Sequence, residues 1–252
     1  MASKFKCAIF DLDGVITDSA HVHMAAWKAM FDEYLVRWSG SRGVPFREFT
    51  EKDYLAYVDG KPRYQGAKCY FDVAGVTDLP MGDPTDPAGK ETVCGLSNTK
   101  NDLYQKFLER DGATVFQSSV DFIRELKRRG IRVGVASSSK NTLLVLQKAK
   151  LEDLFETRVC GIVSAELGLK GKPDPDIFVV AAKQLGFEPH ETLMVEDAIS
   201  GITAGARGKF GFVLGIARHI SAQELLACGA HRVVNDLAEI SVDEVFAWFD
   251  RS

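Results

Sequence analysis

Ala8-Ile9-Phe10-Asp11-Leu12-Asp13-Gly14-Val15-Ile16-Thr17-Asp18 is the stretch on which the fold turns. Phe5 to Phe10 is apolar except for Lys6, the pattern of a short strand buried in the middle of a sheet. Asp11 and Asp13 follow where that strand ends. Side chains alternate along an extended chain, so the two carboxylates can point the same way, about 6–7 Å apart along the backbone. Gly14 lets the chain turn away. Two carboxylates this close repel unless a cation or a shared proton relieves them. In an open α/β sheet, ligands bind beyond the carboxyl ends of the strands, which is where this pair would lie. A strand running out into solvated aspartates would read the same way, so the pair needs partners elsewhere in the chain.

Beyond Asp18 the chain changes character twice. Met24, Trp27, Phe31 and Tyr34 recur at helical spacing and predict an amphipathic helix from Ser19 to about Tyr34. Short helical segments at 51–57 and 65–73 follow. Gly75–Gly95 then reads as a loop, with Pro80, Pro84 and Pro87, and a loop this long is often functional or mobile. From residue 98 onward helix and strand alternate. Helices are expected at 98–110, 118–129, 140–150, 175–185, 198–206 and 242–249. Strands are expected at 131–136, 158–163, 192–196, 210–214 and 231–234. Such alternation predicts a Rossmann-like, doubly wound parallel sheet with helices on both faces. The fold class is therefore α/β, with residues 1–18 and 100–252 as the core and 19–99 as an inserted small α-helical cap.

The 252 residues are 46% hydrophobic and 26% charged, enough for one large domain or a core with a smaller second one. A net charge of −4 offers no electrostatic case for nucleic acid or an anionic membrane. No apolar run approaches the roughly 18–20 residues of a membrane span, and the N-terminus lacks a signal-peptide pattern. Cys7, Cys69, Cys94, Cys160 and Cys228 are odd in number and scattered, without a C-x-x-C pair. That predicts free thiols and a cytoplasmic protein. A monomer is expected.

Three more strand ends carry candidate chemistry. Ser137-Ser138-Ser139-Lys140-Asn141 follows the strand 131–136, and hydroxyls and backbone N–H groups leading into a helix can hold a phosphate. A plain serine N-cap would look alike. In Gly171-Lys172-Pro173-Asp174, the neighbouring proline restricts the backbone around a lysine, suiting it to stand as a fixed cation, although exposed loop lysines are common. Met194-Val195-Glu196-Asp197 is again an apolar strand ending in paired acids. With Asp11 these acids offer oxygen ligands for a hard cation such as Mg²⁺, while Asp197 alone could be a helix cap.

Taken in order, these four motifs resemble those of the haloacid dehalogenase-type phosphotransferases, across the whole core. The resemblance implies Asp11 as the nucleophile and Asp13 as the general acid/base. It implies Ser137 and Lys172 on the transferring phosphoryl, and a Mg²⁺ site from Asp11, Asp13, Glu196 and Asp197. The order D-G-V-I-T-D-S-A-x-x-H-x-x-A-W-K, together with Lys100-Asn101-Asp102 and Ser139-Lys140-Asn141, is similar to the β-phosphoglucomutase-like branch. By that match His23 assists proton handling, and Trp27 joins the substrate site. Arg63 with Ser139 and Asn141 grips a distal phosphate, and Lys100 and Asn101 touch the sugar phosphate. The K-P-R context of Arg63 and the length of 75–95 depart from the compact cap of that branch. The implied activity is Mg²⁺-dependent transfer of phosphate between C1 and C6 of a hexose phosphate through an aspartyl-phosphate. The alternative is a sugar-phosphate phosphatase, and a more distant one is a non-catalytic sugar-phosphate-binding module.

Overall fold

The computed structural model describes residues 4–251. Six strands form one parallel sheet: β1 (Cys7–Phe10), β2 (Arg132–Ala136), β3 (Thr157–Val159), β4 (Thr192–Glu196), β5 (Phe212–Ile216) and β6 (Arg232–Val234), in the order β3-β2-β1-β4-β5-β6. The chain winds from β1 outward to β3, then returns to place β4 on the free side of β1. β1 is therefore central, which is why its four residues are all buried. Cys7 and Ile9 pack with Phe178, Ala181, Met194 and Ile202. Phe10 meets Phe122 with ring centroids 6.4 Å apart. Alternation along the strand turns these residues to opposite faces, so helices cover both. Burial pushes the Cys7 thiol up to about 11, which keeps it protonated and unreactive at neutral pH.

The described chain divides into two compact units, one running to Asp18 and resuming at Ala113, the other Ser19–Gly112. The sequence placed the second junction at residue 100. The helix Val93–Asp111 is continuous through that position and ends at Gly112, whose φ is 76°, so the core unit resumes at Ala113 rather than at residue 100. The helical unit is built around Phe31, whose ring lies 4.5–5.2 Å from those of Trp27, Phe49, Tyr70 and Phe71. Its first helix, Ala20–Arg42, outruns the expected end at Tyr34, because Leu35 and Ser39 continue the buried stripe. It stops at Gly43, which takes the left-handed conformation.

The segment before Val93 is irregular, yet it is stapled to the helix that follows. The first-turn N–H groups of Val93 and Cys94 donate to the carbonyls of Pro80 and Met81, at 2.9 and 3.0 Å. Thr92 caps the helix by accepting from Gly95 N–H at 2.9 Å, and its hydroxyl donates to the buried Asp86 at 2.7 Å. Asp86 also accepts from Lys90 Nζ and Asp83 N–H. The donors that any helix N-terminus leaves unmade are thus used to order the loop.

One expected strand is cut short. β3 ends at Val159 and a helix, Gly161–Glu166, follows in place of 160–163. Gly161 N–H donates to the Ser139 carbonyl at 3.0 Å, and a Cβ at 161 would overlap the Ser138 carbonyl. The chain turns there to press on the loop after β2. Among the described residues, no helix is long and apolar enough to cross a membrane.

Candidate active site

β1 and β4 lie side by side, with Phe10 paired to Val195. They flank the point where the strand order reverses, the crevice in which open α/β sheets bind ligands. Asp11 continues β1 by one residue, its N–H donating to the Val195 carbonyl at 3.0 Å. Glu196 ends β4 and Asp197 follows it. All three acids are buried, and an oxygen from each lies within 4.8 Å of the others. Lys172 reaches in from the loop before helix Asp176–Gln184. Its Nζ donates to Asp11 Oδ1 at 2.6 Å and to Glu196 Oε1 at 2.5 Å, and the residue is 2% exposed. The three core motifs around residues 11, 172 and 196 therefore converge on one cluster.

Its electrostatics do not balance. Burial by itself would lower the Lys172 pKa, but the adjacent Asp11 and Glu196 carboxylates hold it above the ordinary lysine value. Burial raises Asp11 well above the usual carboxylate range; Lys172 opposes this, while the like charges of Glu196 and Asp13 add to it. One ammonium among three buried carboxylates leaves net negative charge out of water, which a proton or a cation would relieve. The donor set is all oxygen, suiting a hard divalent cation better than zinc.

Asp13 does not belong to the group of three. Its charge adds to the upward push on the Asp11 pKa. It is half-buried, in a turn where it bridges to Thr17 and Gly14 N–H returns to the Thr17 carbonyl at 2.8 Å. Gly14 has φ 83°, and a Cβ there would overlap the Asp197 carboxylate, so this position needs glycine on both counts.

The phosphate-loop candidates form a self-bonded turn. Ser137 and Asn141 are buried. Ser139 N–H donates to Ser137 Oγ and Asn141 N–H to Ser139 Oγ, each at 3.1 Å, just before helix Thr142–Ala149. In the helical unit, Lys100 Nζ lies 2.7 Å from His23 Nδ1, and Tyr104 stacks on His23 at 4.0 Å. An ammonium only donates, so His23 accepts at Nδ1 and carries its proton on Nε2. Trp27 is 4% exposed and packs in the unit's own core. Its contribution is an aromatic face 4.9 Å from Lys100 Nζ. Asn101 accepts from Arg63 Nη2 at 2.8 Å.

Two contributors escaped the motif reading. Gly201 is the third residue of helix Ile199–Arg207, and a Cβ there would overlap the Glu196 carboxylate. That carboxylate folds over the helix start, accepting from the N–H groups of Asp197 and Ala198 at 2.6 Å each. A glycine inside a helix is costly, and that was the available signal. Arg218, beyond β5, donates to the Gly14 carbonyl at 3.1 Å and stacks 3.7 Å over Phe116. Nothing in its sequence context marks it.

Known proteins fit this geometry. A family model described as haloacid dehalogenase-like hydrolase matches residues 5–209. A β-phosphoglucomutase of Mycobacterium bovis is 42% identical over 244 residues, covering 95% of this chain and 93% of that protein. Another, of Bacillus subtilis, is 29% identical over 239 residues, covering 94% and 92%. The crystal structure of a Clostridium difficile β-phosphoglucomutase superposes with a TM-score of 0.77 at 22% identity, covering 98% of each chain. A fold of that kind, its strand-end acids gathered at the switch point, and a relative this similar along almost its full length make the protein an enzyme of the haloacid dehalogenase-like hydrolase family.

Proposed function

We propose that the protein is a Mg²⁺-dependent β-phosphoglucomutase that moves a phosphoryl group between C1 and C6 of a hexose phosphate. The observation that carries the reading is the likeness, along nearly the whole chain, to β-phosphoglucomutases of two genera. In the first half-reaction an Asp11 oxygen bonds to phosphorus as the bond from phosphorus to the sugar oxygen breaks, and Asp13 delivers a proton to that oxygen. In the second, Asp13 takes the proton of the incoming sugar hydroxyl, whose oxygen displaces Asp11. Ser137 and Lys172 hold the transferring phosphoryl, because this chemistry is mainly positioning and charge neutralisation. Mg²⁺, held by Asp11, Asp13, Glu196 and Asp197, would supply the remaining neutralisation. His23, proton on Nε2 and steadied by Lys100, assists proton handling. Arg63, Ser139 and Asn141 grip the phosphate that does not react, and Lys100 and Asn101 steady the sugar phosphate. The proposed compartment is the cytoplasm, in keeping with five cysteines that form no disulfide.

Product identification tests the reading. β-Glucose 1-phosphate, supplied with a bisphosphate primer, should yield glucose 6-phosphate by ³¹P NMR. Excess chelator should abolish the conversion and Mg²⁺ restore it. If every hexose phosphate gives only free phosphate and sugar, a phosphatase with the same core residues replaces the mutase. Arg63→Ala should weaken the isomerisation heavily, since a charge-assisted contact contributes about 1.5–3 kcal/mol, roughly tenfold to over a hundredfold in rate. Hydrolysis of acetyl phosphate, which has no second phosphate, should change little.

A further inference from the structure

We infer that Asn98 is a positioning residue through which the 80–92 insert holds Arg63 ready for a phosphate. The inference rests on the reading of Arg63 as the residue that binds the non-reacting phosphate, and deepens it. The Asn98 amide nitrogen donates to two backbone carbonyls of the insert, Pro84 at 3.2 Å and Asp86 at 2.8 Å. Only an NH₂ group can face two carbonyls, so these partners decide which way the amide points. The amide oxygen then faces the other way, where it accepts from Tyr64 Oη at 3.1 Å and Arg63 Nη1 at 3.4 Å. Asn101, one helical turn further on, takes Arg63 Nη2 at 2.8 Å. The guanidinium is thus seated on two amide oxygens from the same face of helix Val93–Asp111.

The two carbonyls are themselves fixed. The insert is tied down by Asp86, by Thr92, and by the bonds from Val93 and Cys94 to Pro80 and Met81. Arg63 is held from its own side as well. It opens helix Arg63–Val73 directly after Pro62, and Lys61 Nζ donates to the Tyr57 carbonyl at 3.0 Å. Among the described residues no carboxylate forms an ion pair with Arg63. Neutral dipoles orient a cation without cancelling its charge, whereas an acid in their place would compete with the phosphate. Burial lowers the Arg63 pKa, and Tyr64 and the Asp102 charge oppose this only in part. The inserted segment thereby acquires a role: it is the strut that sets the amide that sets the arginine.

A double-mutant cycle tests this in the full-length enzyme, with β-glucose 1-phosphate as substrate. Asn98→Ala should raise KM about tenfold with a smaller change in kcat, the mark of weakened substrate binding. The same change in an Arg63→Ala background should add almost nothing, because Asn98 acts through Arg63. Equal losses in both backgrounds would show that Asn98 merely supports the fold, and would overturn the inference. So would an Asn98→Ala enzyme with normal KM alongside an impaired Arg63→Ala enzyme. An unimpaired Arg63→Ala enzyme would instead overturn the underlying phosphate reading. Should Asn98→Ala fail to fold, Asn98→Asp carries the test. Its carboxylate neutralises Arg63, so KM rises at least as much, and again only while Arg63 is present.

Discussion

Asp11→Asn is expected to lose turnover by on the order of 10⁴-fold or more while the protein stays folded. Asparagine copies the shape of aspartate but offers no nucleophilic carboxylate, so no aspartyl-phosphate can form. The fold has no reason to suffer. Lys172 keeps its bond to Glu196 at 2.5 Å, and one of three crowded negative charges is gone. Because burial already drives Asp11 toward its neutral form, the neutral isostere should melt at the wild-type temperature or above. Thermal melting, together with ³¹P NMR of β-glucose 1-phosphate, reads both halves of the expectation. Appreciable turnover in the folded variant would end the aspartyl-phosphate mechanism.

Lys172→Met should cost stability as well as activity. It leaves Asp11, Glu196 and Asp197 buried with no internal cation, and breaking a buried pair typically costs roughly 3–5 kcal/mol. The loss should depend on pH, with a definite sign. Asp11 is held well above the usual carboxylate range in the folded protein, and losing Lys172 raises it further, against an unfolded value near ~3.9. The folded state then binds the proton more tightly than the unfolded one, so folding is favoured as pH falls. The deficit relative to wild type should be full above the folded Asp11 pKa and shrink as pH falls through it. Urea unfolding at pH 8 and pH 5 measures this. An equal deficit at both pH values would mean that the lysine acts by packing alone. Added Mg²⁺ should raise the melting temperature of the variant more than that of wild type, by supplying the missing positive charge.

Much of this was legible in the chain because it depends on local periodicity and on chemistry at strand ends. An apolar run of four to six residues ending in acids predicts a central strand and a ligand edge wherever it occurs. Phe5–Phe10 and Thr192–Glu196 behaved accordingly, and brought Asp11 and Glu196 to adjacent strands. Trp27, Phe31 and Tyr34 faced a core because helical spacing put them on one side. Where the reading slipped, a contact distant in sequence had decided the matter. β3 ended at Val159 because Gly161 leans on the loop after β2. The helical unit ended at Gly112 because the helix begun at Thr92 passed residue 100 without a break.

What the sequence by itself determined was the alternation of strand and helix, the four strand-end motifs and the residue types able to handle a phosphate. What only the tertiary structure decided was which partners each of them keeps. It put Lys172 between two acids, gathered Asp11, Glu196 and Asp197, folded Glu196 over Gly201, and set Arg63 on Asn98 and Asn101. The physical reason is range. Strand and helix periodicity are set by neighbours within a few residues. The charge, burial and orientation of a side chain depend on groups as far as 161 positions away, which only the closed fold brings within a few ångströms.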